Sequence, residues 1–163
     1  MKALLLALTL TFSIQFVNAA TLTGKVVGVA DGDTITVLDS SNTQYIIRLA
    51  GIDAPEKKQA FGNVSKQSLS DLVYGKQVDV DWSKQDRYGR TVGKVFVNGT
   101  NANLVQVKRG LAWYYKKYQN ELILDDRLDY LHAQEAAESS KVGLWADREP
   151  TPPWDFRKSR LSN

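Results

Sequence analysis

Residues 22–50 read LTGKVVGVADGDTITVLDSSNTQYIIRLA. β-Branched residues dominate the stretch and apolar positions alternate with polar ones, which predicts strands at Leu22 to Val29, Thr34 to Leu38 and Tyr45 to Ala50. Asp31-Gly32 reads as a tight turn between the first two, because Asp-Gly accepts the positive φ angles of hairpin turns. Ser40-Ser41-Asn42-Thr43 is a polar turn before the third strand, so the three form a meander.

Outward from this block the period changes. Lys57 to Val73 reads as a helix with Phe61, Val64, Leu69, Leu72 and Val73 on a broad apolar face and Gly75 as its stop. Gln77 to Trp82 and Thr91 to Val97 return to strand alternation, the second ended by Asn98-Gly99. Asn101 or Asn103 caps a short helix through Lys108 that ends at Gly110. Leu124, Leu128 and Leu131 mark one face of a helix from about Leu122 to Lys141, with Gly143 as its C-cap. Five short strands with a helix between the third and fourth, and helices after the fifth, fit a closed barrel better than a doubly wound sheet. The expected class is α+β: mainly a β-barrel of OB type, with helices. Such barrels often carry nucleic-acid sites on one face.

The chain has 163 residues, 43% of them hydrophobic, enough for one domain with a real core. Met1-Lys2, the apolar run Ala3 to Val17 and Asn18-Ala19-Ala20 have the order of a signal peptide, with a mature start at Ala20 or Thr21. The run is shorter than the roughly 20 residues of a spanning helix and is interrupted by Thr9, Thr11, Ser13 and Gln15. The expected layout is a leader over 1–20, a domain over 21–147 and an irregular tail over 148–163 containing Pro152-Pro153-Trp154. The expected destination is export, periplasmic or secreted. The chain lacks cysteine, which excludes thiol catalysis, cysteine-ligated zinc and disulfides. A net charge of +3 suits a polyanionic substrate without requiring one.

Four short stretches concentrate the chemistry: Asp31-Gly32-Asp33-Thr34, Arg48, Asp53-Ala54-Pro55-Glu56 and Arg87-Tyr88-Gly89-Arg90. Asp33 begins one strand and Asp53 lies just past the end of another, so folding can bring them together as hard oxygen ligands for Ca²⁺ or Mg²⁺. Each has an ordinary alternative: Asp31-Gly32-Asp33 as a turn, and Asp53 and Glu56 around Pro55 as a capping box opening the next helix. The arginines raise the odds. Arg48 sits in the apolar stretch Ile46-Ile47-Arg48-Leu49-Ala50, where a charge needs a partner. Carboxylates and guanidiniums in this proportion suit phosphodiester cleavage, whose transition state gains negative charge and whose nucleophile is water. His132 is the only histidine and falls in the last expected helix, which rules out two-histidine ribonuclease chemistry.

The order Asp-Gly-Asp-Thr, then Arg48-Leu-x-x-Ile-Asp-Ala-Pro-Glu56, then Asp86-Arg87-Tyr88-Gly89-Arg90, then Gly110-Leu111-Ala112 and Gly143-Leu144-Trp145, closely resembles the thermonuclease (micrococcal or staphylococcal nuclease) family over about residues 22 to 146. The Pro-Pro-Trp tail is similar to that of secreted bacterial members. The resemblance implies a five-stranded OB-type barrel with three helices and Ca²⁺-dependent hydrolysis of DNA and RNA to 3′-phosphate ends, with one Ca²⁺ per chain. It implies Asp33, Asp53 and the Ala54 carbonyl as calcium ligands; Ala54 stands where the family often has threonine. It implies Arg48 and Arg90 as the catalytic arginines, Glu56 as general base, and Asp31 as a nearby acid of lesser importance.

Trp113-Tyr114-Tyr115-Lys116-Lys117-Tyr118 interleaves rings with lysines, a combination that stacks bases and follows a phosphate chain, though a strand burying alternate rings reads the same way. Family members place one base-flanking tyrosine here and another in the motif carrying Tyr88. The candidate nucleic-acid-binding residues are therefore Tyr88, Tyr115, Tyr118, Lys116 and Lys117. Single-stranded or frayed DNA and RNA are the expected partners, with little base-edge reading, and the chain is expected to be a monomer. A binding-only module and a calcium-stabilised structural domain are the competing readings; the first expects catalytic side chains to be lost, whereas Asp33, Arg48, Asp53, Glu56 and Arg90 are all present, and the second explains the aspartates but not the paired arginines.

Overall fold

The structure is a computed structural model that describes residues 20–161, so nearly all of the expected leader lies outside the described residues. The meander forms as β1 (Ala20–Val29), β2 (Thr34–Leu38) and β3 (Gln44–Leu49). After the short β4 (Ile52–Asp53) and helix α1 (Gly62–Val73) come β5 (Gln77–Gln85) and β6 (Thr91–Val97). The long β1 pairs antiparallel with β2 through Lys25 to Val29 and with β5 through Ala20 to Lys25, bending at an irregularity between Val26 and Gly28. β5 pairs with β6, and β6 runs parallel to β3 with Ile47 opposite Thr91 and Arg48 opposite Val92. That last pairing closes five strands into a barrel, whose alternation places Val26, Ile35, Val37, Ile47, Leu49, Val78, Val80 and Val95 inside.

β7 (Thr100–Asn101) leads into α2 (Ala102–Lys108), and β8 (Trp113–Tyr114) pairs with β4. A 3₁₀ segment over Lys116–Glu121 precedes α3 (Leu124–Ser139), and another spans Gly143–Ala146. Asn101, rather than Asn103, caps α2, its side chain accepting the Leu104 N–H at 3.1 Å. Asn103 is buried instead: its Oδ1 accepts the Val95 N–H at 3.0 Å while its Nδ2 donates to the carbonyls of Ala50 and Gly93. It staples α2 to the closing strand.

Several local expectations are corrected. α1 starts at Gly62, not Lys57, because residues 56–62 make two successive turns (Gln59 N–H to the Glu56 carbonyl, Gly62 N–H to the Gln59 carbonyl) and Phe61 takes a left-handed conformation with φ 63°. The capping-box alternative for Asp53 and Glu56 therefore fails. Val64 is exposed, and the buried face of α1 is Gly62, Ser65, Leu69 and Val73. In α3, Leu124 and Leu128 face outward; Tyr130 and Ala133 are buried in the main core, Tyr130 edge-on to Tyr114, and Ala137 is buried against Leu144 and Trp145. α3 turns off through Lys141 at φ 52° rather than at Gly143, which instead packs so tightly on the Gly110 carbonyl that a Cβ would lie 2.3 Å from it.

The tail is not irregular throughout: Pro153–Leu161 form α4. Pro153 opens the helix, where its missing N–H costs nothing, Asp155 lies in the first turn and Arg160 in the last, in line with the helix dipole. Among the described residues there are thus four α-helices, one more than the expected three.

Candidate active site

Asp33 and Asp53 meet at one end of the barrel. Asp33 Oδ2 accepts the Ala54 N–H at 2.9 Å and its Oδ1 accepts the Thr34 hydroxyl at 2.8 Å, so the segment after β4 is tied to the start of β2. Both carboxylates are buried, 7% and 3% exposed. Asp31 shapes the turn between β1 and β2, its Oδ1 accepting the Asp33 N–H at 3.0 Å. Gly32 is needed there for a reason other than the positive φ expected of a hairpin turn: its φ is not positive, but a Cβ would lie 1.8 Å from Ser65 Oγ. The Gly32 carbonyl accepts Gln106 Nε2 at 2.9 Å, and that buried amide also donates to the Ser65 carbonyl at 3.0 Å. α1 and α2 together hold the turn that aims Asp33.

Arg48, 9% exposed on β3, donates Nη2 to the Ile52 carbonyl at 2.9 Å and Nη1 to the Leu49 carbonyl at 3.2 Å. These bonds fix the plane of the guanidinium beside β4. Glu121 Oε2 lies 3.8 Å from Arg48 Nη1, while Glu121 Oε1 pairs with Lys84 at 3.0 Å. Glu121 was not among the expected site residues, and its partners Arg48 and Lys84 stand too far away in the chain for local pattern to reveal it.

Glu56 is half-exposed and comes to the same mouth. A residue from α4 joins it there: Arg157 Nη1 donates to Glu56 Oε1 at 2.7 Å and to Asp53 Oδ1 at 3.1 Å, and Nη2 donates to Asp53 Oδ2 at 2.7 Å. Burial pushes the Asp53 carboxyl up to about 6, against the pull of its Arg157 hydrogen bonds, with the Asp33 charge raising it further. Burial, followed by the charge of Asp33, pushes Asp31 up to about 7. Arg157 itself is raised above the usual guanidinium range, first by its bonds to Asp53.

Arg90 immediately precedes β6, so the parallel pairing of β6 with β3 sets it beside the strand that carries Arg48. Its guanidinium is engaged with Asp86 in its own turn, Nε donating to Asp86 Oδ2 at 2.8 Å, and it lies against the Tyr88 ring at 5.6 Å. Asp86 also accepts the N–H groups of Tyr88 and Arg90, which makes the turn a stiff mount; these bonds hold its carboxyl low despite burial. Tyr88 is 71% exposed.

The aromatic run divides as strand and as surface. Tyr114 is buried against Tyr130, whereas Tyr115 and Tyr118 stand by Arg48, each about 6 Å from its guanidinium. Lys116 and Lys117 are exposed on the 3₁₀ segment. Tyr115 is covered by Trp154 of α4, the rings parallel to within 4° at 4.9 Å. His132 is exposed on α3, away from these groups.

The donor set is all oxygen: two buried carboxylates and neighbouring main-chain groups, with no cluster of three or more His, Cys, Asp or Glu side chains among the described residues. Hard cations suit such donors. The guanidinium of Arg157 already stands in for positive charge at Asp53 and Glu56, so the residues fit a cation there.

A family model described as staphylococcal nuclease homologue matches residues 46–147. The chain is similar to an uncharacterized endonuclease of Haemophilus influenzae, 44% identical over 99% of this chain and 88% of the relative. It is likewise 44% identical to an uncharacterized endonuclease of Escherichia coli O157:H7, over 86% of this chain and 88% of the relative. A micrococcal nuclease of Shigella flexneri is 39% identical over 83% of this chain and 80% of its own length.

Proposed function

The chain belongs to the family of staphylococcal nuclease homologues, and from that membership we propose that it cuts DNA and RNA with a bound Ca²⁺, leaves 3′-phosphate ends and reads little sequence. It is a nuclease, a phosphodiester hydrolase, as its relatives' names indicate. The observation that carries the finer reading is the convergence of Asp33, Arg48, Asp53 and Glu56, from three separate segments, at one end of the barrel.

Asp33, Asp53 and the Ala54 carbonyl would hold the calcium ion, which supplies Lewis acidity toward a non-bridging phosphate oxygen. Glu56, the half-exposed carboxylate of the group, takes a proton from the attacking water. Arg48 spends two of its five N–H donors on carbonyls and keeps the others for equatorial oxygens, where a planar fork outperforms an ammonium. Arg90, mounted on Asp86, donates from the neighbouring turn. The benefit of both arginines grows as negative charge develops.

Tyr115, Tyr118 and Tyr88 supply ring faces, and Lys116 and Lys117 positive charge, along the path of a single or frayed strand. The protein acts as a monomer over a domain of residues 21–147, exported to a periplasm or the medium on the leader pattern of residues 1–20.

The test is incubation of the purified chain with DNA and with RNA in Ca²⁺, then in excess chelator, with end-group analysis of the fragments. Cleavage that stops on chelation and leaves 3′-phosphates is expected. Chelator-insensitive cleavage or 5′-phosphate ends would contradict the reading.

A further inference from the structure

We infer that α4 is a built-in plug of the active site: Arg157 occupies Asp53, a carboxylate that would hold the cation, together with Glu56, the proposed base, and Trp154 takes the place of a nucleobase on Tyr115. The inference rests on the cation site proposed above. Both oxygens of Asp53 accept from Arg157, so a divalent ion that takes either one meets the guanidinium's positive charge within a few ångströms and favours its departure. Glu56 Oε1 accepts from the same nitrogen as Asp53 Oδ1, and a carboxylate so engaged is a poorer acceptor for a water proton. One side chain therefore obstructs both the metal and the base.

Charge explains why the plug seats. Asp33 and Asp53 are buried near one another, and two such carboxylates without a counter-ion are costly. Arg157 provides the positive charge. Trp154 closes the second half, lying flat on Tyr115 while its edge meets Trp113 at 5.6 Å. Stacking of this kind is what a base would require of Tyr115.

Packing explains why the plug can leave. Of α4 only Pro153 is buried, and the Arg157 side chain is 42% exposed. Beneath the helix a cavity of about 160 Å³ separates Phe156 from Pro55, Phe61, Trp113 and Leu144. The segment that leads into the helix is tied to the domain by a bond from Gln59 Nε2 to the Thr151 carbonyl. A helix that buries little more than Pro153 and sits over an incompletely filled gap is a low-stability element. Ca²⁺ and nucleic acid displace the same helix, so each makes room for the other and their binding is cooperative.

The experiment is calorimetric titration of Ca²⁺ alone, without nucleic acid, into the full chain and into Arg157→Gln and Trp154→Ala, with tryptophan fluorescence followed in parallel. A site open for only a fraction of the time binds more weakly by that fraction, so Arg157→Gln is expected to bind Ca²⁺ roughly tenfold tighter. Trp154→Ala should bind tighter by a smaller factor. The Ca²⁺-induced fluorescence change of the parent should be largely lost in Trp154→Ala. Ca²⁺ binding that is equal or weaker in Arg157→Gln overturns the plug while leaving the cation site intact. If neither parent nor variant binds Ca²⁺, the cation site falls and the plug falls with it.

Discussion

Arg48 and Glu121 are joined across the rim of the barrel, Nη1 to Oε2 at 3.8 Å, with Glu121 only 8% exposed at its side chain. Glu121 also accepts the Gly51 N–H at 3.3 Å and pairs with Lys84, so it links the loop after β3, strand β5 and the 3₁₀ segment carrying Tyr118. It is a positioning residue for Arg48. Glu121→Gln keeps an acceptor for Gly51 but loses the charge; Glu121→Ala loses both. Turnover should fall on the order of tenfold in Glu121→Ala and less in Glu121→Gln, with KM for DNA nearly unchanged. Steady-state kinetics on the two variants check this; an equal rise in KM with unchanged turnover would assign Glu121 to binding alone.

Asn103 links α2 to β6 and to the β3–β4 junction by three hydrogen bonds to main-chain groups, all inside the protein. Asn103→Leu leaves the Val95 N–H and the Ala50 carbonyl without that partner. The expected loss is about 3 kcal/mol of unfolding free energy, the scale for stranding buried polar groups. Urea unfolding should show a lower midpoint with an unchanged slope.

Tyr130 is fully buried, its hydroxyl bonded to Asn101, and burial holds its phenol above the usual 10. A value raised in the folded state means that the stability is whole below about pH 10 and is lost as pH climbs beyond it. Urea midpoints from about pH 9 to about 11 should therefore fall more steeply for the parent than for Tyr130→Phe. Tyr114 and Tyr115, also raised by burial, and Tyr45, raised by the charge of Asp39, contribute to the slope that remains.

The barrel was legible because its signals are local. Thr34–Leu38 and Thr91–Val97 alternate cleanly and end in turn residues, and both strands match their expected bounds. Asp33, Arg48, Asp53 and Glu56 were visible as types out of place, a charge in an apolar strand and acids at strand ends. What joins them was not visible. Gln106 reaches Gly32 across 74 positions, and Arg157 reaches Asp53 across 104.

Helix faces were misread for a related reason. Leu124 and Leu128 have the spacing of a buried stripe, but α3 buries Tyr130 and Ala133 in the main core and Ala137 against Leu144 and Trp145, a choice made by tertiary contact rather than hydropathy. Pro152-Pro153 suggested a break where Pro153 in fact starts α4. The same local sign marks both.

The central claim is that a fixed guanidinium on β3, beside two buried carboxylates, stabilises the phosphodiester transition state. Turnover of Arg48→Lys on DNA in saturating Ca²⁺ tests it most directly, with Arg90→Lys measured alongside. A fall of roughly 100-fold or more in turnover, with substrate affinity little changed, is the predicted result. Near-wild-type turnover in both variants would contradict it.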